Sequence, residues 1–285
     1  MEKKYGLLGG DNRIVELAKI LSEEQKVYIY GLENALELKK TKNIETSNTL
    51  KEFLDNVQII ISSIPFTKDG KTVYCNYTDK TILIKELEES IKDKTFIAGN
   101  ISNNILREKN NKIIDIAKNE EFAVLNAIAT AEGVIQLAIS NTKINLQDSN
   151  IAILGYGRIG KILAGKLKNL CKNISCFSAD NPELVWIKAY GNEGFKLSNL
   201  KEKVNVYDIV INTIPKLVLD KQELEKLDKE CLIIDIASSP GGINKKEADN
   251  RNIKYLHALG LPGKTSPKSS AEIIKNIIEK YSKGR

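Results

Sequence analysis

Asn150-Ile151-Ala152-Ile153-Leu154-Gly155-Tyr156-Gly157-Arg158-Ile159-Gly160 is the stretch whose reading decides the fold of this chain. The apolar run before the first glycine reads as a strand buried on both faces, and Ile162, Leu163, Leu167 and Leu170 follow the glycines at helical spacing. A Gly-x-Gly-x-x-Gly pattern alone says little. Between a buried strand and an amphipathic helix it is the phosphate-binding turn of a dinucleotide-binding βαβ unit. Gly155 allows the tight turn, Gly157 lets the backbone approach a pyrophosphate, and Gly160 permits close packing of helix on sheet. The helix N-terminus adds unpaired N–H groups and a favourable dipole, with Arg158 and Ile159 in the same expected contact with cofactor.

Downstream, further strands are expected at Ile174–Ser178, Phe195–Leu197, Asp208–Ile214, Cys231–Ile236 and Ile253–His257, six with the first, as a complete dinucleotide-binding sheet requires. Asn212-Thr213-Ile214-Pro215 and Asp235-Ile-Ala-Ser238-Ser-Pro-Gly-Gly242 end two of these strands, placing Thr213, Pro215 and Ser238 where the nicotinamide half of a cofactor passes. The end of the second strand speaks to cofactor choice. Ser178 stands about 23 residues after Gly155, where NAD enzymes of this architecture have an acid, and Asp180 follows two residues later. The serine leans the reading to NADP; Asp180, with no arginine beside it, keeps NAD open.

The first half repeats the strand–helix alternation, with strands expected at Tyr5–Leu8, Lys26–Tyr30, Gln58–Ile64, Ile82–Ile84 and Thr95–Ala98, and a loop over Lys68–Lys80. It reads as a flavodoxin-like or similar α/β domain over residues 1–125. Thr130 suits an N-cap, and Ala131, Val134, Ile135 and Ala138 mark a joining helix over Thr130–Asn141. A linker-plus-Rossmann domain then occupies 126–267. Ile274, Ile277, Ile278 and Tyr281 form the apolar stripe of a last helix, residues 268–285, expected to cross back to the first domain by analogy with two-domain dehydrogenases. The fold class is thus α/β, with two doubly wound domains.

Composition narrows the function. The net charge is +6, but only five of 43 basic residues are arginine and the lysines are interleaved with Asp, Glu and Asn, which argues for a solvated surface rather than a nucleic-acid footprint. The start lacks a secretory apolar core, and no apolar run approaches the roughly 20 residues that span a bilayer, so a cytosolic protein without a membrane partner is expected. Cys75, Cys171, Cys176 and Cys231 form no CxxC pair, and with one histidine no metal site is expected.

Beyond the glycine loop, Gly9-Gly-Asp-Asn-Arg13, Asn126 with Thr130-Ala-Glu-Gly133, Asp235-Ile-Ala-Ser-Ser-Pro-Gly-Gly242, Gly260-Leu-Pro-Gly-Lys264 and Ser266-Pro-Lys268 occur in one order along the chain. In these elements the sequence resembles the A-subunit family of dipicolinate synthase over essentially its whole length. The resemblance implies a sporulation enzyme of the mother-cell cytoplasm that works with the smaller, flavoprotein-like B subunit of that synthase. Together they would make pyridine-2,6-dicarboxylate from a dihydro- or hydroxytetrahydrodipicolinate. One departure bears on cofactor: where members associated with NADP have an arginine after the second strand, this chain has Ala179.

The residues are compatible with that chemistry. Making a pyridine from a partly reduced ring removes a hydride and a proton, so the protein mainly has to orient ring and nicotinamide. A dicarboxylate calls for arginine, and Arg13 is the first candidate for it, with Asn126, Thr130 and Lys264 as further substrate contacts. His257, at the end of the last strand, and Glu132 are the candidate catalytic groups. A stand-alone dehydrogenase of a 2-hydroxy or amino acid, a non-catalytic dinucleotide sensor and a homo-oligomer stay open.

Overall fold

The computed structural model describes residues 4–101 and 109–282. The chain divides into two units, Met1–Asn126 with Pro262–Arg285, and Ala127–Leu261.

In the first unit, β1 (Tyr5–Leu8), β2 (Val27–Tyr30), β3 (Ile44–Thr46), β4 (Ile59–Ser62), β5 (Thr95–Ala98) and β6 (Lys112–Asp115) form one parallel sheet in the order β3-β2-β1-β4-β5-β6. The helices are α1 (Asn12–Ser22), α2 (Leu50–Asn56), α3 (Ile84–Ser90) and the start of α4 (Glu120–Asn141). Successive side chains on a strand point to opposite faces, so Leu7, Ile29, Ile61 and Ile97 enter one apolar layer while Leu8, Tyr28, Ile60 and Phe96 enter another. Helices must cover both layers, and this makes the sheet doubly wound.

This order is the dinucleotide-binding one and replaces the flavodoxin-like arrangement expected from sequence. The difference comes from β3 and β6, edge strands that pair on one side and carry too few apolar residues to announce themselves. The strand expected at Ile82–Ile84 is absent: Ile84 starts α3, and Leu83 makes only an isolated bridge with Thr72. The joining helix begins ten residues before Thr130, because Asn119 accepts the N–H of Phe122 at 2.8 Å and Glu120–Ala129 continue the helical pattern; Thr130 lies mid-helix.

In the second unit, β7 (Asn150–Leu154), β8 (Asn173–Ser178), β9 (Glu193–Lys196), β10 (Ile209–Asn212), β11 (Leu232–Asp235) and β12 (Tyr255–His257) repeat the same parallel topology, in the order β12-β11-β10-β7-β8-β9. The remaining helices of this unit are α5 (Arg158–Leu167), α6 (Asn181–Ala189), α7 (Leu200–Lys203), α8 (Lys221–Leu224) and α9 (Lys245–Asn250). Ile151, Ile153, Ile209, Ile211 and Ile234 pack with Leu163 and Leu167 of α5 and with Ala131, Val134 and Ala138 of α4. Ala152, Leu154, Val210 and Ile233 face the other layer, with Leu200, Leu224 and Ala248.

After α10 (Leu261–Thr265) the chain ends in α11 (Pro267–Ser282), whose Ile274, Ile277 and Ile278 are buried with Ile14, Leu17, Ala18 and Leu21 of α1 in the first unit. The last helix therefore crosses back to the first domain, and the return begins at Pro262.

Candidate dinucleotide site

The carboxyl edge of the second sheet carries the glycine loop. Gly155 has φ +94°, a conformation L side chains rarely adopt, and a Cβ there would stand 2.4 Å from Thr213 Oγ1. A Cβ on Gly160 would stand 2.1 Å from the Gly155 carbonyl oxygen, so only glycine lets α5 dock so closely. At Gly157 a Cβ would meet nothing within 4 Å. Gly157 is also the N-cap of α5 and offers no side chain to its first N–H groups. Two glycines are thus held by packing and the third faces open space over an uncapped helix N-terminus, a cradle suited to a pyrophosphate.

The adjoining strand ends are tied together from below. Asp235 is 1% exposed and accepts from Asn212 Nδ2 at 2.8 Å and from the backbone N–H groups of Ala237 at 3.1 Å and Gly242 at 2.9 Å. Asn212 Nδ2 also donates to the Ile214 carbonyl, and its Oδ1 accepts the Ile214 N–H. Thr213 Oγ1 donates to the Leu154 carbonyl at 2.9 Å. These bonds fix the loops after β10 and β11, leaving Pro215 and Ser238 exposed. His257 is half-buried, and its Nε2 lies 3.2 Å from the Ala237 carbonyl oxygen. A carbonyl only accepts, so Nε2 carries the proton and Nδ1 faces Lys245 Nζ at 3.5 Å as acceptor. This geometry makes His257 a brace for the 236–242 loop.

At the end of β8, Ser178 is buried and donates to Glu183 Oε2 at 2.5 Å, while its Oγ accepts the Asp180 N–H at 3.0 Å. The same Glu183 oxygen accepts the N–H of Tyr156, between the first two glycines of the loop, at 3.3 Å. Sequence reading named Ser178 and Asp180 but missed Glu183, whose one signal was an acid in the first turn of the helix after the second strand. Asp180 is exposed at the start of that helix, and Arg158 is exposed at the start of α5. Ile159 is partly buried against the core below the loop.

The corresponding loop of the first unit is built differently. A Cβ on Gly9 would stand 2.3 Å from Cys75 Sγ, and Gly10 pairs with Cys75 in a parallel bridge, so the segment around Cys75 covers this turn. Asp11 caps α1 by accepting the Arg13 N–H at 3.1 Å, which places a carboxylate where an anion would have to sit. Arg13 is 4% exposed and binds Asp11 in a fork, Nε to Oδ1 at 3.0 Å and Nη2 to Oδ2 at 2.7 Å, while Nη2 also reaches the Ile64 carbonyl. A Cβ on Gly263 would stand 3.0 Å from the same carboxylate, so the Gly-Gly-Asp-Asn-Arg and Leu-Pro-Gly-Lys elements meet at Asp11. Lys264 is exposed on α10. Thr130 is buried and Asn126 partly buried on α4, and the exposed Glu132 pairs with Lys166 of α5 at 2.8 Å.

A doubly wound parallel sheet with an open glycine cradle over an uncapped helix defines a nicotinamide-dinucleotide-binding protein of the oxidoreductase type. The chain is 32% identical over 284 residues to the A subunit of dipicolinate synthase from Bacillus subtilis (strain 168), covering 97% of this chain and 95% of that protein. It belongs to the A-subunit family of dipicolinate synthase. The family model for the N-terminal domain of that A subunit matches residues 4–117, and the one described as "Acetohydroxy acid isomeroreductase, NADPH-binding domain" matches residues 145–230. The crystal structure of the dipicolinate synthase A subunit from Bacillus halodurans superposes with a TM-score of 0.86 at 27% identity, covering 98% of this chain and 97% of that one. The corresponding structure from Bacillus subtilis gives 0.83 at 28%, covering 100% and 97%. An L-alanine dehydrogenase structure, at 11% identity and a TM-score of 0.64 over 97% of this chain and 88% of that one, shares the fold.

Proposed function

We propose that this chain is the dinucleotide-binding component of a dipicolinate synthase, forming pyridine-2,6-dicarboxylate from a dihydro- or hydroxytetrahydrodipicolinate in the mother-cell cytoplasm of a sporulating bacterium. The observation that carries the reading is the glycine cradle, open at Gly157 over the uncapped N-terminus of α5, in a member of this family. Bound there, a nicotinamide dinucleotide supplies a hydride acceptor. The chain's own part is binding and orientation. Gly157 and the first N–H groups of α5 receive the pyrophosphate, and Asn212 and Asp235 hold the loops carrying Thr213, Pro215 and Ser238 along the nicotinamide side.

Lys264, exposed on α10, is the cation offered to a substrate carboxylate, with Asn126 and Thr130 of α4 as further polar groups. Arg13 acts from behind, holding Asp11 and the turn on which Gly263 rests. His257 keeps the 236–242 loop in place, and proton removal from the ring falls to Glu132 or to solvent. A second, flavoprotein-like polypeptide, the synthase's B subunit, completes the enzyme.

Anaerobic turnover of the dihydro substrate with NAD or NADP, with and without that second polypeptide, tests this by the ultraviolet absorbance of the pyridine. The expected result is cofactor binding by this chain alone, little product, and strong product formation once the flavoprotein-like partner is added and co-elutes. Full activity without any complex defeats the two-protein reading. Binding without turnover under every condition favours a sensor.

A further inference from the structure

The glycine loop says where a dinucleotide sits and nothing about the 2′ position of its adenosine ribose. That choice is made at the end of β8, and there the structure brings two donors onto one carboxylate oxygen. Glu183 Oε2 accepts from Ser178 Oγ at 2.5 Å and from the Tyr156 N–H at 3.3 Å, so a carboxylate from α6 is pinned against the first turn of the glycine loop. Ser178 Oγ and the Tyr156 N–H are thus both turned toward Glu183 and are not offered to a phosphate. Asp180, exposed at the start of α6, adds a second negative charge nearby in sequence.

From this we infer that Glu183 is a specificity-determining residue that makes the site an NAD site, accepting from the ribose hydroxyls and refusing the 2′-phosphate of NADP. In dinucleotide-binding sheets an acid after the second strand serves the ribose of NAD, whereas a basic residue accommodates the extra phosphate of NADP. Here the acid comes from the following helix instead of the strand, and the strand's own residue, Ser178, becomes its support. A phosphate carrying close to two negative charges beside a fixed carboxylate is repelled, and part-burial reduces the screening that would relieve it. The NADPH named for the family matching residues 145–230 belongs to that family; this chain's own residues point to the unphosphorylated cofactor. The inference rests on the glycine cradle being a dinucleotide site.

Calorimetric titration of the full chain with NADH and NADPH reads the preference without any turnover. NADH is expected to bind about tenfold or more tightly, and ADP to bind more tightly than 2′,5′-ADP in the same way. In Glu183→Gln, which keeps the shape and an acceptor for Tyr156, the ratio should fall to within about threefold, mainly through a gain in NADPH affinity. Equal or tighter binding of NADPH by the unaltered chain overturns the inference while leaving the dinucleotide site standing. So does a Glu183→Gln chain that loses affinity for both dinucleotides equally, which is the mark of a purely structural tie. Binding of neither dinucleotide by the unaltered chain overturns the cradle itself and this inference with it.

Discussion

Three glycines of one motif do three different things, and the difference is measurable. A Cβ at Gly157 enters open space, so Gly157→Val should fold with an unchanged melting temperature yet lose about tenfold or more in dinucleotide affinity, read by calorimetry. A Cβ at Gly160 meets the Gly155 carbonyl at 2.1 Å, so Gly160→Ala should lower both affinity and melting temperature. Arg13 makes a similar point about charge. Its fork to Asp11 is almost wholly buried, with side-chain exposures of 5% and 10%, and removing one partner leaves the other uncompensated. Arg13→Ala should therefore cost about 3–5 kcal/mol in denaturant unfolding. Undiminished stability with weakened substrate use would instead return Arg13 to direct substrate contact.

Among the elements, the helices that join and close the chain are the informative ones. By length and composition α4 is apolar enough to cross a membrane, contrary to the sequence expectation that no run approaches that length. Part of it is buried inside the protein, with Ala131, Val134 and Ala138 packed on the core of the second unit, and this accounts for the apolar character of that face. The terminal helix α11 is tied to α1 by Ile274, Ile277 and Ile278, each buried to 2% exposure or less. Ile277→Ala should destabilise the first unit by about 2–5 kcal/mol, because the removed atoms leave a cavity between α1, α11 and the sheet. Thermal unfolding of the single variant checks this. An unchanged transition would mean that α11 contributes no stability there.

Across the whole molecule the four thiols report on packing. Burial pushes Cys176 and Cys231 up to about 12, and Cys75 and Cys171 up to about 11, from an ordinary 9.0. A group whose pKa is higher in the folded than in the unfolded chain favours folding below the unfolded value and loses that contribution as pH rises through the folded one. Stability should therefore fall from about pH 9 upward as unfolded thiols ionise first. The double variant Cys176→Ala, Cys231→Ala should show a shallower fall in urea midpoint between about pH 8 and 10 than the parent chain, which separates the thiols from lysines and tyrosines titrating in the same range. At about pH 8 a thiol-specific disulfide reagent should react slowly with the native chain and rapidly with all four cysteines in guanidinium. Fast native labelling of Cys176 or Cys231 would contradict their burial.

By itself the sequence determined the parallel α/β architecture, the glycine turn after β7 and the amphipathic stripe of the last helix, whose place against α1 came from the packing. Each rests on a local signal: an apolar run between turn residues, a stripe at helical spacing, or a glycine required by positive φ or close approach. What depends on which segments lie side by side was decided only by the tertiary structure. β3 and β6 exist because a neighbouring strand supplies their hydrogen bonds, and their own residues, Ile44-Glu-Thr46 and Lys112-Ile-Ile-Asp115, carry little pattern. Ser178 looked in sequence like a missing acid, but α6 folds back and sets the Glu183 carboxylate against its hydroxyl. Asp11 joins Arg13 and Gly263 from opposite ends of the chain, turning an expected substrate arginine into a support for its own loop. Periodicity encodes which face of an element is buried; it carries no information about which charged side chain a distant turn will meet there, because that contact exists only once the layers have packed.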